Sequence, residues 1–230
     1  MSDGRVEFLE QRRRICRWRY NNLHADRYDE SWGHTPASHA AWLSRYAGMV
    51  PSAGRVLDAA CGTGRAWPPQ LRAGLQVTGI DQSSGMLKVA AAKHPGVPTR
   101  ELALQDLAAV ADWSGHFDGL TCLDAMENVG PEHWPAVVAG FCAVLKPLAP
   151  AYLTVEIPDA AETGDLSAPE PADGATLVAG EFYDGTGYHY YPRRDDVIGW
   201  LRTAGFELVD EDEADGYWHL LVSKIATPSR

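Results

Sequence analysis

The stretch Val56 to Arg65 reads VLDAACGTGR, an apolar run ended by one carboxylate and followed by Gly62 and Gly64. A glycine-rich turn behind a strand lets the backbone lie against a nucleotide. The dinucleotide fingerprint G-x-G-x-x-G fails, because counting from Gly62 its third glycine falls on Trp67; a Walker loop fails too, because Arg65-Ala66 stands where Lys-Ser/Thr is needed. Asp81 closes LQVTGID, 23 residues after Asp58, where a carboxylate at a strand end accepts both hydroxyls of a ribose. Proton chemistry has its own candidates. His189, in GYHYYP, is the first general base and His219, in GYWHLLV, the second, and such a base contributes about 100- to 10,000-fold. Glu127, in DAMENV, offers a carboxylate to an ammonium or a hydroxyl, and with Glu156, Glu181 and Asp184 it makes a negative pocket that favours an amine over an acid. Cys16, Cys61, Cys122 and Cys142 show no paired metal-ligand spacing, so no metal site is expected.

The elements that must position these residues alternate between short β-branched runs and helical patterns, the signature of a parallel sheet with crossover helices. Strands are expected at 55–59, 75–80, 101–104, 117–123, 151–156, 206–210 and 216–223. The last two are separated only by EDEAD, too short for a crossover, so they run antiparallel. The predicted architecture is an α/β, Rossmann-like, seven-stranded and mostly parallel sheet with its last strand antiparallel and helices on both faces. Residues 1–47 read as an N-terminal helical cap. Residues 157–191 read as a substrate-covering insertion after the fifth strand, loop-like in its first half and a hairpin turning at Asp184-Gly185 in its second. The whole chain, 1–230, is expected to be one domain. Within the hairpin, alternation sends Tyr188 and Tyr190 to one face and His189 and Tyr191 to the other, so only one pair faces a pocket.

The formal net charge of −11 over 230 residues argues against nucleic acid or an anionic membrane as partner. The first 27 residues depart from that balance, with seven arginines against four acids. No run approaches the ~18 apolar residues of a membrane span, and the four cysteines suit a reducing compartment, so a cytoplasmic protein is expected.

Together these residues resemble the class I S-adenosylmethionine-dependent methyltransferases, whose pattern is an apolar strand, an acid, then x-G-C-G-T-G. Here it reads Asp58-Ala59-Ala60-Cys61-Gly62-Thr63-Gly64, with Ala60 at the family's first glycine. The resemblance implies S-adenosyl-L-methionine as cofactor. Ala60, Gly62 and Gly64 then lie against its methionyl and ribose portions, Asp58 helps position its ammonium, Asp81 takes the ribose with Gln82 following, and Met86 covers the adenine. In ELALQDLA, Asp106 matches the acid that meets the adenine amino group, with Gln105 and Leu107 beside it. FDGLTCLDAMENV resembles the fourth-strand motif, bringing Leu123 to the cofactor, and RYDESWG resembles a covering helix that places Tyr28 and Trp32 at the cofactor and substrate mouth. The methyl group of this family points to the end of the fourth strand. Substrate contacts are therefore expected from Trp32, Asp124, Asn128, Glu156, Tyr188 and Tyr190. The implied function is methyl transfer to a nitrogen or oxygen of a small molecule. The arginine bias, 16 against 4 lysines, suggests bacterial specialised metabolism. A second reading stays open, in which the same scaffold binds the cofactor but catalyses a cyclisation. Neither the acceptor nor the oligomeric state is set by these motifs.

Overall fold

Three helices precede the first strand in the computed structural model, which describes residues 3–167, 176–185 and 187–226. They are α1 (Asp3–Arg19), α2 (Tyr28–Trp32) and α3 (Ala37–Met49), and α1 runs on into a π-helical turn, Tyr20–His24. The alternation then begins: β1 (Arg55–Ala59), α4 (Trp67–Arg72), β2 (Gln76–Asp81), α5 (Ser84–Lys93), β3 (Thr99–Glu101), β4 (Gly119–Cys122), α6 (Trp134–Val144) and β5 (Pro150–Glu156). A short α7 (Ala160–Thr163) and the hairpin β6 (Glu181–Tyr183) and β7 (Tyr188–Tyr190) follow, then α8 (Arg194–Ala204), β8 (Phe206–Ala214) and β9 (Tyr217–Lys224).

The sheet order is β3-β2-β1-β4-β5-β9-β8, with β9 antiparallel to both neighbours and the other pairs parallel. The expected Rossmann-like sheet is thus present, and the reversed strand is inserted beside the edge, which β8 forms. Strand order reverses at β1 and β4. In open α/β sheets the crevice beyond the carboxyl ends at such a point is where ligands bind.

Three local expectations change. The third strand lies at 99–101 rather than 101–104, because the Leu102 amide makes the last bond to the Asp81 carbonyl (2.9 Å) and Leu104–Ala109 winds into a 3₁₀ turn. β8 runs on to Ala214, since the acidic residues read as a connector pair with β9, and Asp215 and Gly216, both at positive φ, make a tight turn. The loop-like half of the insertion contains α7, capped by Asp159 accepting from the Ala161 amide at 2.8 Å. Residues 168–175 of that insertion, and Thr186 in its hairpin, lie outside the described residues.

Burial explains why these segments hold their positions. All of β4 is buried, and α6 lays Val137, Val138, Phe141 and Val144 on one face of the sheet with almost no exposure. On the other face Leu43 and Tyr46 of α3 pack with Val56 and Tyr152. Each such large side chain contributes about 1.5–3 kcal/mol by leaving water, which fixes the strand ends that carry the site.

Candidate cofactor and acceptor site

A cavity of about 900 Å³ opens beyond the ends of β1, β2 and β4. Ala60, Gly62, Asp81, Gln82, Met86, Gln105 and Leu123 line it, joined by Tyr28 from α2 and by Arg13 and Cys16 from α1.

The β1 loop turns through Ala60 (φ 58°), Gly62 (φ 54°) and Gly64 (φ 76°). At Gly62 an added Cβ would lie 3.3 Å from the Met86 methyl, so the bare backbone keeps this wall open. Gly64 corrects an expectation: an added Cβ would stand 2.7 Å from the Trp67 ring, and the residue is absent from the cavity wall. Its smallness admits Trp67. That indole is fully buried and donates from Nε1 to Asp58 Oδ2 at 2.8 Å, while Thr121 Oγ1 donates to Oδ1 at 2.5 Å. Asp58 therefore lies on the cavity wall with each oxygen already accepting one bond. Burial nevertheless pushes its carboxyl up to about 6.

Asp81 accepts from the Gly62 amide (2.9 Å) and the Ser83 amide (2.8 Å), so one carboxylate fixes both the β1 loop and the start of α5. Burial raises it to about 6 against those amides. A carboxylate oxygen can accept more than one bond, which leaves capacity for a vicinal diol. With an acid at the ribose position and no lysine among the described lining residues, the lining fits a phosphate-free nucleoside.

Two further cofactor expectations are corrected. Asp106 is exposed and forms an ion pair with Arg13 at 3.6 Å outside the cavity, because α1 crosses above it. Leu107 is fully buried in the main core. Only Gln105 of that trio reaches the wall.

At the β4 end, Asp124 (φ 52°) lines the cavity but is occupied by partners. His39 Nε2 lies 2.8 Å from Oδ1, Thr154 donates to Oδ1 at 2.9 Å, and Arg65 bonds the other oxygen. These groups hold its carboxyl below the ordinary range despite burial. It anchors Arg65 in the wall instead of standing free for an acceptor. Asn128 bridges the region: its amide donates to Glu127 Oε1 (2.7 Å), and the Cys16 thiol donates to its Oδ1 (3.4 Å). Gln82 Nε2 in turn donates to Cys16 Sγ at 3.6 Å, so this chain of bonds runs from β2 to β4 through α1.

Glu127 is 9% exposed, and its Oε2 has no partner among the described residues. Burial first, then the charge of Glu156, pushes it up to about 8. Glu156 is half-buried at the end of β5 and raised as well, by burial and by Asp124. The expected negative pocket of Glu127, Glu156, Glu181 and Asp184 does not assemble on either cavity wall: Glu181 is paired with Arg5 and Asp184 accepts from the Gly187 amide at the hairpin turn.

A second cavity, about 450 Å³, shares Cys16, Tyr20 and Asn128 with the first and is lined also by Arg12, Arg19, His24, Tyr183, Tyr188 and His189. His189 bonds through Nδ1 to the Tyr191 hydroxyl at 2.9 Å, and burial together with Arg19 lowers its pKa, so the ring is neutral near pH 7. The other candidates lie elsewhere. His219 is fully buried beneath α3, with Nδ1 on Tyr152 (2.8 Å) and Nε2 on the Ala214 carbonyl (3.2 Å), which occupies both nitrogens. Tyr190 is buried in the core. The Tyr188 ring borders the second cavity, but its hydroxyl donates to Glu181, which Arg5 neutralises. Trp32 is half exposed and packs against Tyr28 with the rings tilted and 5.3 Å apart, outside the cavity walls. Arg13, Cys16, Tyr20, His39, Arg65 and Trp67 were missed. Of these, Trp67 and Arg65 carried a sequence signal, standing directly behind the glycine turn.

The fold and this cavity define a class: nucleoside-binding α/β proteins that receive a cofactor without a phosphate cradle. A family profile described as a methyltransferase domain matches residues 56–148. The ubiquinone biosynthesis O-methyltransferase of Xanthomonas axonopodis pv. citri (strain 306) is 33% identical over 171 residues, covering 70% of this chain and 66% of that protein. The chain thus spans just under two thirds of that relative's length. Among solved structures, 1,6-didemethyltoxoflavin-N1-methyltransferase of Burkholderia thailandensis, with 1,6-didemethyltoxoflavin and S-adenosylhomocysteine bound, aligns with a TM-score of 0.67 at 20% identity over 94% of this chain and 90% of that one. Magnesium protoporphyrin IX methyltransferase of Synechocystis PCC 6803, with S-adenosylmethionine bound, gives 0.63 at 19% over 91% and 95%. Residues 56–148 thus match a methyltransferase domain, and the fold is that of these solved methyltransferases.

Proposed function

We propose that this protein transfers a methyl group from S-adenosylmethionine to a nitrogen or oxygen of a small molecule, in bacterial specialised metabolism, and that it works in the cytoplasm. The observation that carries the reading is the junction of the cavity behind the glycine turn, with Asp81 on its wall, and an aromatic chamber that holds a neutral imidazole. The cofactor supplies a methyl group on a cationic sulfur, already activated toward in-line displacement, so the protein has to align the nucleophile and exclude water. Asp81 takes the ribose hydroxyls, while Gly62 and Ala60 let the loop lie against the ligand. Tyr28, Gln82, Met86, Gln105 and Leu123 enclose it, and Asp58 steadies the amino-acid end from beneath the loop. The cap at 1–47 and the insertion at 157–191 cover the acceptor.

Asn128, on the wall of both cavities, meets the acceptor's N–H or O–H, and Glu127 holds its amide from behind. A carboxyl raised to about 8 is mostly protonated at neutral pH, so Glu127 backs Asn128 as a neutral partner. His189 receives the acceptor's proton at Nε2, the ring nitrogen left by the Tyr191 bond. Both transfer atoms have support in name: the Xanthomonas relative is an O-methyltransferase and the Burkholderia neighbour an N1-methyltransferase. For the compartment, the described residues contain four free thiols and no helix long and apolar enough to cross a membrane.

The test is incubation with S-adenosylmethionine and a panel of amines, phenols and acids, read by mass spectrometry. A product gaining one CH₂ together with S-adenosylhomocysteine is expected. An isomerised product without S-adenosylhomocysteine overturns transfer in favour of cyclisation.

A further inference from the structure

One hydrogen bond at the end of the hairpin decides whether His189 can act as a base. Its Nδ1 lies 2.9 Å from the Tyr191 hydroxyl, the two rings meet edge to face at 5.9 Å, and the imidazole lines the second cavity. Either the hydroxyl donates to a bare Nδ1 and the ring proton sits on Nε2, or Nδ1–H donates to the hydroxyl oxygen and Nε2 is bare. Only the second arrangement can take a proton from the cavity. The chain holds Tyr191 in place for that bond. The proline that follows, Pro192, biases it toward extended backbone, and its amide donates to the Gly180 carbonyl at 2.8 Å. Gly180 (φ 90°) approaches so closely that an added Cβ would lie 2.5 Å from the Tyr191 carbonyl oxygen. Charge then favours one direction for the bond. Burial first, and then the negative charge of Glu156 ahead of Glu127 and Glu162, raises the pKa of the Tyr191 hydroxyl. A hydroxyl dipole orients in such a field, its proton toward the carboxylate and a lone pair toward Nδ1. Arg19 and Asp184 also act on the His189 ring, with opposite signs.

We propose that Tyr191 is a positioning residue for the reaction: its hydroxyl accepts from His189 Nδ1–H, keeps Nε2 bare toward the second cavity, and is itself aimed by the carboxylate of Glu156. The acceptor's nitrogen or oxygen takes the methyl carbon as the C–S bond leaves its electron pair on sulfur, and the proton released goes to Nε2. The imidazolium so formed keeps its Nδ1–H bond to the phenol oxygen, now charge-assisted. Tyr191 moves no proton and touches no ligand; it selects the tautomer. Glu156 gains a task in the same way, since it lies on neither cavity wall and acts on the chamber only through Tyr191.

This inference rests on the methyltransferase reading, and one experiment separates the two. The full chain, labelled with ¹⁵N in its histidines, is first titrated calorimetrically with S-adenosylhomocysteine; absence of binding there counts against the methyltransferase reading. Long-range ¹H–¹⁵N spectra near neutral pH, which need neither the acceptor nor turnover, then report which nitrogen of His189 carries the proton. The resonances are assigned by their loss in His189→Gln. The Nδ1–H tautomer is expected to outnumber Nε2–H by at least about tenfold, the scale of one hydrogen bond. Tyr191→Phe, which keeps the ring and removes the acceptor, should shrink that ratio to less than about threefold, and Glu156→Gln should shrink it in the same direction. S-adenosylhomocysteine affinity should be unchanged in both variants, since neither residue lines the first cavity. A parent protein with the proton on Nε2, or a ratio that either substitution leaves unchanged, overturns the proposal. So does a loss of S-adenosylhomocysteine affinity in Tyr191→Phe, because the hydroxyl would then be holding the fold and not directing one proton.

Discussion

Asp81 carries more than one task in the proposed reading, because the carboxylate on the cavity wall also ties the Gly62 and Ser83 amides together. Asp81→Ala should therefore weaken S-adenosylhomocysteine by about 2–3 kcal/mol, through lost ribose bonds and a loosened loop, while the sheet stays folded. Calorimetry beside a thermal melt checks both halves, and unchanged affinity would remove the ribose assignment. Glu127 makes a prediction of the opposite kind. Its pKa in the fold is raised from 4.5 to about 8, so it favours the folded state fully below 4.5, and that contribution is lost as pH rises toward 8. Glu127→Gln, which imitates the protonated form, should be more stable than the parent at pH 8 by on the order of 2 kcal/mol and nearly equal to it at pH 4.5. Urea midpoints at the two pH values measure this. An equal offset at both would show that the carboxyl is not held neutral by its surroundings. Turnover should fall in the same variant, separating what Glu127 does for the reaction from what it costs the fold.

The hairpin β6–β7 brings His189 to the chamber, and an ion-pair cluster from α1 holds it there. Arg5 bonds Glu132 (2.7 Å) and Glu181 (2.5 Å), and Glu181 is fully buried while also accepting from the Val178 amide (2.7 Å) and from Tyr188. Arg5→Ala leaves that carboxylate buried without its countercharge and should cost about 3 kcal/mol, with a rise in acceptor KM. Adding Glu181→Gln should restore much of the stability by removing the stranded charge. A double variant as unstable as the single one would mean that Arg5 acts by packing alone. This cluster also explains what the sequence could and could not disclose. Asp81 and the Gly62 turn were legible because each is set by its own strand end and a local hydrogen bond. Asp106 was misread because Arg13, from a helix more than ninety positions earlier, takes the carboxylate. His219 was misread because a strand pattern does not reveal that Tyr152 and Ala214 take both ring nitrogens. Cys16 was missed because its place depends on where α1 settles over the sheet. The sheet itself was legible almost throughout, since hydrophobic alternation sets it and side-chain partners only trim its ends.

At the scale of the molecule, the sheet is a platform and the first helices are its cover. Local bonds join them: Thr63 Oγ1 and Lys93 Nζ both donate to Asp29 of α2 (2.6 Å each), Asn21 accepts from the Gly85 amide (2.8 Å), and Cys16 and Arg13 close the cavity from α1. Beyond these bonds α1 buries only Phe8, Leu9 and Arg12, where the shorter α6 buries seven residues. The cover should therefore open far below the global unfolding free energy, which a ligand enclosed on both sides requires. Saturation with S-adenosylhomocysteine at 100 times its Kd adds about 2.7 kcal/mol to every state change that must release it. Amides of α1 and of the π-helical turn 20–24 should then exchange hydrogen about 100-fold more slowly, because opening the cover and releasing the ligand become one event. Amides of the exposed edge strand β8 should be unchanged, since it frays without disturbing the cavity. Hydrogen-exchange mass spectrometry with and without ligand resolves these segments. Slowing confined to the β1 loop and α5, with α1 exchanging as before, would show that the arginine-rich helix rests beside the cofactor and does not enclose it.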